Sequence, residues 1–265
     1  MPTVREIEQR LYEIAPKELA FDWDNVGHLL GDPEQNVEKV LVALDITEAV
    51  ADEALALGCQ LIVAHHPVIF HPAKSITDET VNGQILLALT ENKIAAICAH
   101  TNLDAVNQGV NDCLAQALKL TNVEQLAQDG EDENGLPYGI GRVGTAHQTG
   151  MAAKDYAVYV KECLDAASVR CADGGRTVSK VAVGGGSCGS MLREVQAAGC
   201  DTFVTADVKY DQYLEAKALG ITLMDAGHFA TEHVICQPLA NRLAEHFEQI
   251  EVFVSKNHTE VYSGV

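Results

Sequence analysis

Hydrophobic residues along this chain fall into two alternating periods. Short apolar runs such as Val40-Leu41-Val42-Ala43-Leu44 and Leu61-Ile62-Val63-Ala64 read as strands buried on both faces. Similar runs predict strands at 94–99, 178–183, 202–205, 221–224 and 250–254. Between them, helical spacing recurs. Ile7, Leu11 and Ile14 predict an opening helix stopped by Pro16, and Thr47 caps a helix that ends at Gly58. Further helices are expected near 79–92, 107–118, 153–164, 189–198, 210–218 and 232–247. Strands alternating with helices predict an α/β fold with mainly parallel sheets and helices on both faces. From 122 to about 137 the sequence is rich in Asp, Glu, Gln, Asn and Gly without a period, and reads as a linker or long surface loop.

The pattern also repeats. The block from Val40 to Val63 matches the block from Val181 to Val204 at an offset of 141, and His100-x3-Asp104 matches His228-x3-Glu232 at 128. Two related α/β halves are therefore expected, residues 1–123 and 124–265, with the C-terminal strand able to pack across the boundary and equivalent strand ends able to face each other across a cleft.

Candidate chemistry sits where strands end. The run Leu61–Ala64 stops in His65-His66, Ile97-Cys98-Ala99 stops in His100 with Asp104 four residues on, and Leu223-Met224 leads to His228 with Glu232 four residues on. Strand termini in α/β proteins open into clefts. Two consecutive imidazoles at such a terminus can diverge toward two metal ions. His65, His66, Asp104, His228 and Glu232 together offer three neutral nitrogens and two anionic oxygens, a donor set suited to Zn, Fe, Mn, Co or Ni. Glu232, the longer acid, is the candidate bridge between two cations, leaving positions for metal-bound water and hence for catalysis. His100 reads as a neighbour of the metal ligands or a substrate-facing residue, against plain loop packing. Trp23, with Asp24 and Asn25, reads as a core anchor beside a turn, and Gly184-Gly185-Gly186 as a tight turn rather than a phosphate cradle. His233 is expected to point away from the metals.

Composition narrows the class. With 47% hydrophobic and 21% charged residues the chain is neither disordered nor fibrous. A net charge of −20 without a Lys/Arg-rich run argues against nucleic acid as a partner. No apolar run is long enough for a spanning helix, and the N-terminus reads as a charged helix rather than a secretory leader, which makes the cytoplasm the expected compartment and excludes a membrane partner. None of the eight cysteines forms a C-x-x-C pair, so buried reduced thiols are expected.

The motifs Trp23-Asp24-Asn25-Val26-Gly27, Ala64-His65-His66-Pro67, His100-Thr101-Asn102-Leu103-Asp104 and Gly227-His228-x3-Glu232 occur in the order found in the Nif-three-like family, also described as GTP cyclohydrolase I type 2 homologues. The chain resembles its short form over essentially the whole length. That resemblance implies two intertwined α/β domains, a dinuclear divalent-metal site between them with the same five residues as ligands and Glu232 touching both ions, and a toroidal homohexamer, a trimer of dimers, with its sites facing an internal cavity. It implies a metal-dependent hydrolase acting on a nucleotide or another small heterocyclic or phosphorylated substrate. A non-enzymatic metal-delivery protein and a ring-shaped interaction scaffold are the alternatives. His28 stands where the family usually has an apolar residue, and Asp211 where a His is common, so the substrate pocket can differ.

Overall fold

The computed structural model describes residues 1–132 and 135–264, which form two compact units. The first comprises Met1–Val106 and Cys236–Thr259; the second comprises Asn107–Ile235 and the tail from Glu260. This partition differs from a single cut at 123/124. Helix Val110–Ala117 packs through Leu114 and Ala115 into the core of the second unit, and the chain returns to the first unit for its last helix and strand.

In the first unit, helix Val4–Ile14 is fixed by a capping box between Thr3 and Glu6 and buries Val4, Ile7 and Leu11. Its sheet runs in the order Gly27–Leu30, Ala95–Cys98, Leu61–Ala64, Lys39–Ala43, Glu251–Val254. Four strands are parallel, and Gly27–Leu30 is antiparallel to its neighbour. Alternate residues Leu41, Ile62 and Ala96 join one core with helices Glu48–Leu57 and Val81–Glu91. Val40, Val42, Leu61 and Val63 are as fully buried, so both faces of the sheet are covered. Glu53 accepts from Ser255 Oγ and from the backbone N–H groups of Lys256 and Asn257, which clamps the end of the last strand to helix Glu48–Leu57.

The second unit's sheet runs Thr121–Gln125, Arg142–Thr145, Lys180–Val183, Thr202–Thr205, Thr222–Asp225, Arg170–Ala172. Val181, Val183, Val204 and Met224 face one core with helix Ala153–Leu164; Ala182, Phe203 and Leu223 face another with helices Leu192–Ala197 and Tyr210–Leu219. The fold is α/β with helices on both faces. Only its middle three strands are parallel, however, and the three outer pairings are antiparallel.

Three local departures have physical causes. The acid-rich stretch expected as a linker supplies the edge strand Thr121–Gln125 and a small hairpin, Gly130–Glu131 with Pro137–Tyr138; its residues 133 and 134 lie outside the described residues. An edge strand can be polar because its outer side faces water. Gly27–Leu30 and Arg170–Ala172 are short edge strands with no alternation to announce them. The helix expected over 232–247 is broken into His228–Glu232, a 3-10 turn His233–Ile235 and Cys236–His246. Pro238 lacks an N–H and fits only the first turn of a helix, so a new helix starts just before it.

Candidate metal-binding donor sets

Parallel register gathers the first donor set. Ala64 pairs with Cys98, and the N–H of Ala99 donates to the Ala64 carbonyl, so the chain leaves both strands side by side at His65-His66 and His100. One ring nitrogen from each of His65, His66 and His100 lies within 4.8 Å of the others. Asp104, in the short helix Thr101–Ala105, brings Oδ1 to 3.5 Å from His65 Nε2.

Each ring is held from its far side. His65 is fully buried and its Nδ1 sits 2.8 Å from the Ala99 carbonyl oxygen; His66 Nδ1 sits 2.8 Å from Asp45 Oδ1, and His100 Nδ1 2.9 Å from Asp24 Oδ1. Carbonyl and carboxylate oxygens accept, so Nδ1 carries the proton and a neutral ring keeps its lone pair on Nε2. Burial opposes ionisation of Asp45, but hydrogen bonds from His258 and His66 outweigh it and hold the carboxyl well below the usual carboxylate range. Asp24 behaves alike: burial is overcome by hydrogen bonds from His100 and Thr101. Both acids stay anionic at neutral pH.

The second donor set is built differently. His228 opens helix His228–Glu232, and the four-residue spacing places Glu232 Oε2 2.9 Å from His228 Nε2. His228 Nδ1 donates to Asp207 Oδ2 at 2.7 Å. Glu232 is buried, and the glycine turn after strand Lys180–Val183 makes room for it. A Cβ at Gly186, whose φ is +63°, would meet the Glu232 carboxylate and come within 3.2 Å of His228 Nε2. The turn is not a phosphate cradle, because the Gly185 N–H donates to Asn111 Oδ1 and the Gly186 N–H to Thr231 Oγ1.

The donors fit a borderline divalent metal ion. In all four imidazoles a backbone carbonyl or carboxylate accepts from Nδ1 and leaves Nε2 as the available donor, the arrangement usual for histidines that ligate metals. A Duf34/NIF3 (NGG1p interacting factor 3) family model matches residues 2–260. The chain belongs to the Duf34/NIF3 family. A Streptomyces coelicolor protein named "GTP cyclohydrolase 1 type 2 homolog" is 38% identical, with 100% of this chain and 95% of the relative covered. A Clostridium acetobutylicum protein of the same name is 33% identical, over 98% of this chain and 97% of its own. The crystal structure of a Bacillus cereus protein related to NIF3 has a TM-score of 0.94 at 27% identity, covering 100% of this chain and 99% of that one.

Within this NIF3-family chain, the structure groups His65, His66 and Asp104 in one unit and His228 with Glu232 in the other. Sequence reasoning missed Asp45 and Asp207, and it read Gly186 as part of a tight turn without its contact to Glu232. Their signal was positional: each follows a strand by two or three residues, as do His66 and His228. It also misplaced Trp23, which is 60% exposed; the anchor of that motif is Asp24, whose carboxylate receives His100, Thr101 and the Asn25 N–H. His28 is occupied locally, with Nε2 2.8 Å from the Leu30 carbonyl oxygen, and Asp211 is exposed in the first turn of helix Tyr210–Leu219. His233 stacks on Phe229 at 4.6 Å. All eight cysteines are free thiols; five are buried and Cys171 is exposed, so burial holds for most of them rather than all. No described helix is long and apolar enough to cross a membrane.

Proposed function

We infer that this chain is a metal-dependent hydrolase holding two divalent ions through His65, His66, Asp104, His228 and Glu232, with Glu232 as the bridging acid. The observation that carries the reading is the common orientation of the imidazoles: every Nδ1 is committed to an oxygen, so every Nε2 is prepared to donate to a cation. Such holding is costly unless used. His65 and Glu232 are buried beside polar neighbours, and a bound cation would offset the desolvation of their polar atoms. When bound, divalent ions supply Lewis acidity and a nucleophile from water at neutral pH.

The residues' own contributions are positional. Asp45 and Asp207 keep the His66 and His228 rings in one tautomer. Gly186 leaves space for the Glu232 carboxylate. The proposed substrate is a nucleotide or another small heterocyclic or phosphorylated molecule, in keeping with the mention of GTP in the relatives' name, and the proposal includes assembly into a homohexameric ring, checked by native mass. Protein loaded with Zn, Mn, Fe, Co or Ni is tested against GTP, a phosphodiester and a phosphomonoester. Turnover of at least one, abolished in His65→Ala, is expected; fully loaded protein that leaves all three unchanged overturns the hydrolase reading.

A further inference from the structure

Beside the first donor set lies a group of aromatic rings that metal binding does not require. Phe21, Trp23 and Phe70 are 41%, 60% and 41% exposed, yet they form one contiguous cluster. Trp23 lies 5.6 Å from Phe21 and 5.9 Å from Phe70 between ring centroids, at interplanar angles of 39° and 70°, so Phe21 and Phe70 flank the indole and leave it as the ring that offers a face. Both Trp23 and Phe70 meet the His100 ring edge-on, at 6.3 and 6.1 Å with interplanar angles of 75° and 80°. His100 also belongs to the imidazole trio with His65 and His66. The aromatic surface thus borders the metal donors directly.

Its mounting is rigid. The Phe21 N–H donates to Thr101 Oγ1, the Asp24 N–H to the Phe21 carbonyl, Thr101 donates twice to Asp24 Oδ2, and Asn25 Nδ2 donates to the Ile69 carbonyl next to Phe70. A loop fastened this firmly holds its rings outward at a fixed angle instead of folding them into the core. Leaving large apolar rings in water is unfavourable, and a preorganised aromatic surface lowers the entropy cost of taking up a flat ligand. Aromatic faces stack with any heterocyclic base, and His100, fixed by Asp24 in a single tautomer, adds a polar group at the edge of the shelf.

We propose that Trp23, flanked by the tilted Phe21 ring and the edge-on Phe70 ring, forms a stacking shelf that selects a flat nitrogen heterocycle as the part of the substrate presented to the metal donors. This deepens the hydrolase reading and rests on it for the chemistry, but binding is measured without turnover. It favours the heterocyclic class over substrates recognised through phosphate alone.

Trp23 is the single tryptophan of the chain, so its fluorescence reports the shelf directly. Metal-loaded full-length protein is titrated with guanosine and, separately, with ribose 5-phosphate, and calorimetry follows the variants. Saturable quenching by guanosine and none by ribose 5-phosphate is expected. Trp23→Leu should weaken guanosine binding by roughly tenfold or more, Phe70→Ala by less, and Trp23→Phe should restore most of the affinity. Metal content and melting temperature should not move in any of the three, which separates a binding role from a structural one. Absence of guanosine binding by protein that carries its metals overturns the shelf while leaving the metal-site proposal standing. Equal binding of ribose 5-phosphate by wild type and Trp23→Leu, or a change of oligomeric mass in place of ligand affinity, also overturns it.

Discussion

The two units carry the same three-strand parallel core but furnish its ends in opposite ways. Strand Lys39–Ala43 corresponds to Lys180–Val183 and Leu61–Ala64 to Thr202–Thr205, with identical pairing: Val40 opposite Leu61, Val181 opposite Thr202. In the first unit, the end of the first strand bears Asp45 and the end of the second bears His65-His66. At the matching positions the second unit has Gly186 and Ala206-Asp207. The orienting acid has moved from the first strand to the second, and the imidazole it orients from the second strand to the third, His228. Where the first unit has the Asp45 side chain, the second has only hydrogen on Gly186, and the buried Glu232 carboxylate lies against it. A few residues redistributed at strand ends thus give the first unit two adjacent imidazoles with Asp104 and the second one imidazole with Glu232.

This contrast can be broken most severely at Gly186. Gly186→Ala adds a Cβ against Glu232 at a φ of +63°, and should cost about 1–3 kcal/mol of stability and most of the metal content. Asp45→Ala at the matching position should retain the fold, since it removes atoms instead of adding them; chemical denaturation and elemental analysis of the pair check this. Next in size are the orienting acids. Asp45→Asn and Asp207→Asn should each weaken metal binding by about 10–100-fold, measured by chelator competition, because each loosens the tautomer of one imidazole. Equal affinity to wild type in both would leave the comparison without energetic content.

The smallest effect is expected at Asp24, which serves His100 rather than a proposed ligand. Its folded pKa is depressed, so the stability it contributes is present above the ordinary carboxylate value of about 4 and lost as pH falls below it toward the folded value. Asp24→Asn should therefore melt a few degrees below wild type at pH 7, and the gap should close as pH drops below about 4. A gap that widens with acidification contradicts the assignment.

Much of this was legible in the sequence because it rests on period and spacing. Apolar runs gave the parallel strands, and His228-x3-Glu232 placed an imidazole and a carboxylate on one helical turn. What sequence missed depends on long-range pairing. Register makes Cys98 equivalent to Asp225, so the loop to His228 is one residue longer than the loop to His100, with Gly227 at a φ of +89° within it. The offset of 128 at His228 is thus 127 at the strand itself. Edge strands such as Arg170–Ala172 are recruited by a neighbour's exposed hydrogen-bonding groups, not by their own pattern. Trp23 looked like core because tryptophan usually is buried, whereas here the neighbouring Asp24 fastens the loop and leaves the ring outside.

The proposed ligand set, His65, His66, Asp104, His228 and Glu232, requires Glu232 to hold both ions and Asp104 mainly one. Elemental analysis of protein purified without chelator tests it directly, comparing wild type with Asp104→Ala and Glu232→Ala. About two divalent ions per wild-type chain, about one in Asp104→Ala and almost none in Glu232→Ala are expected, since Glu232→Ala removes the proposed bridging acid. Equal occupancy in the two variants contradicts it.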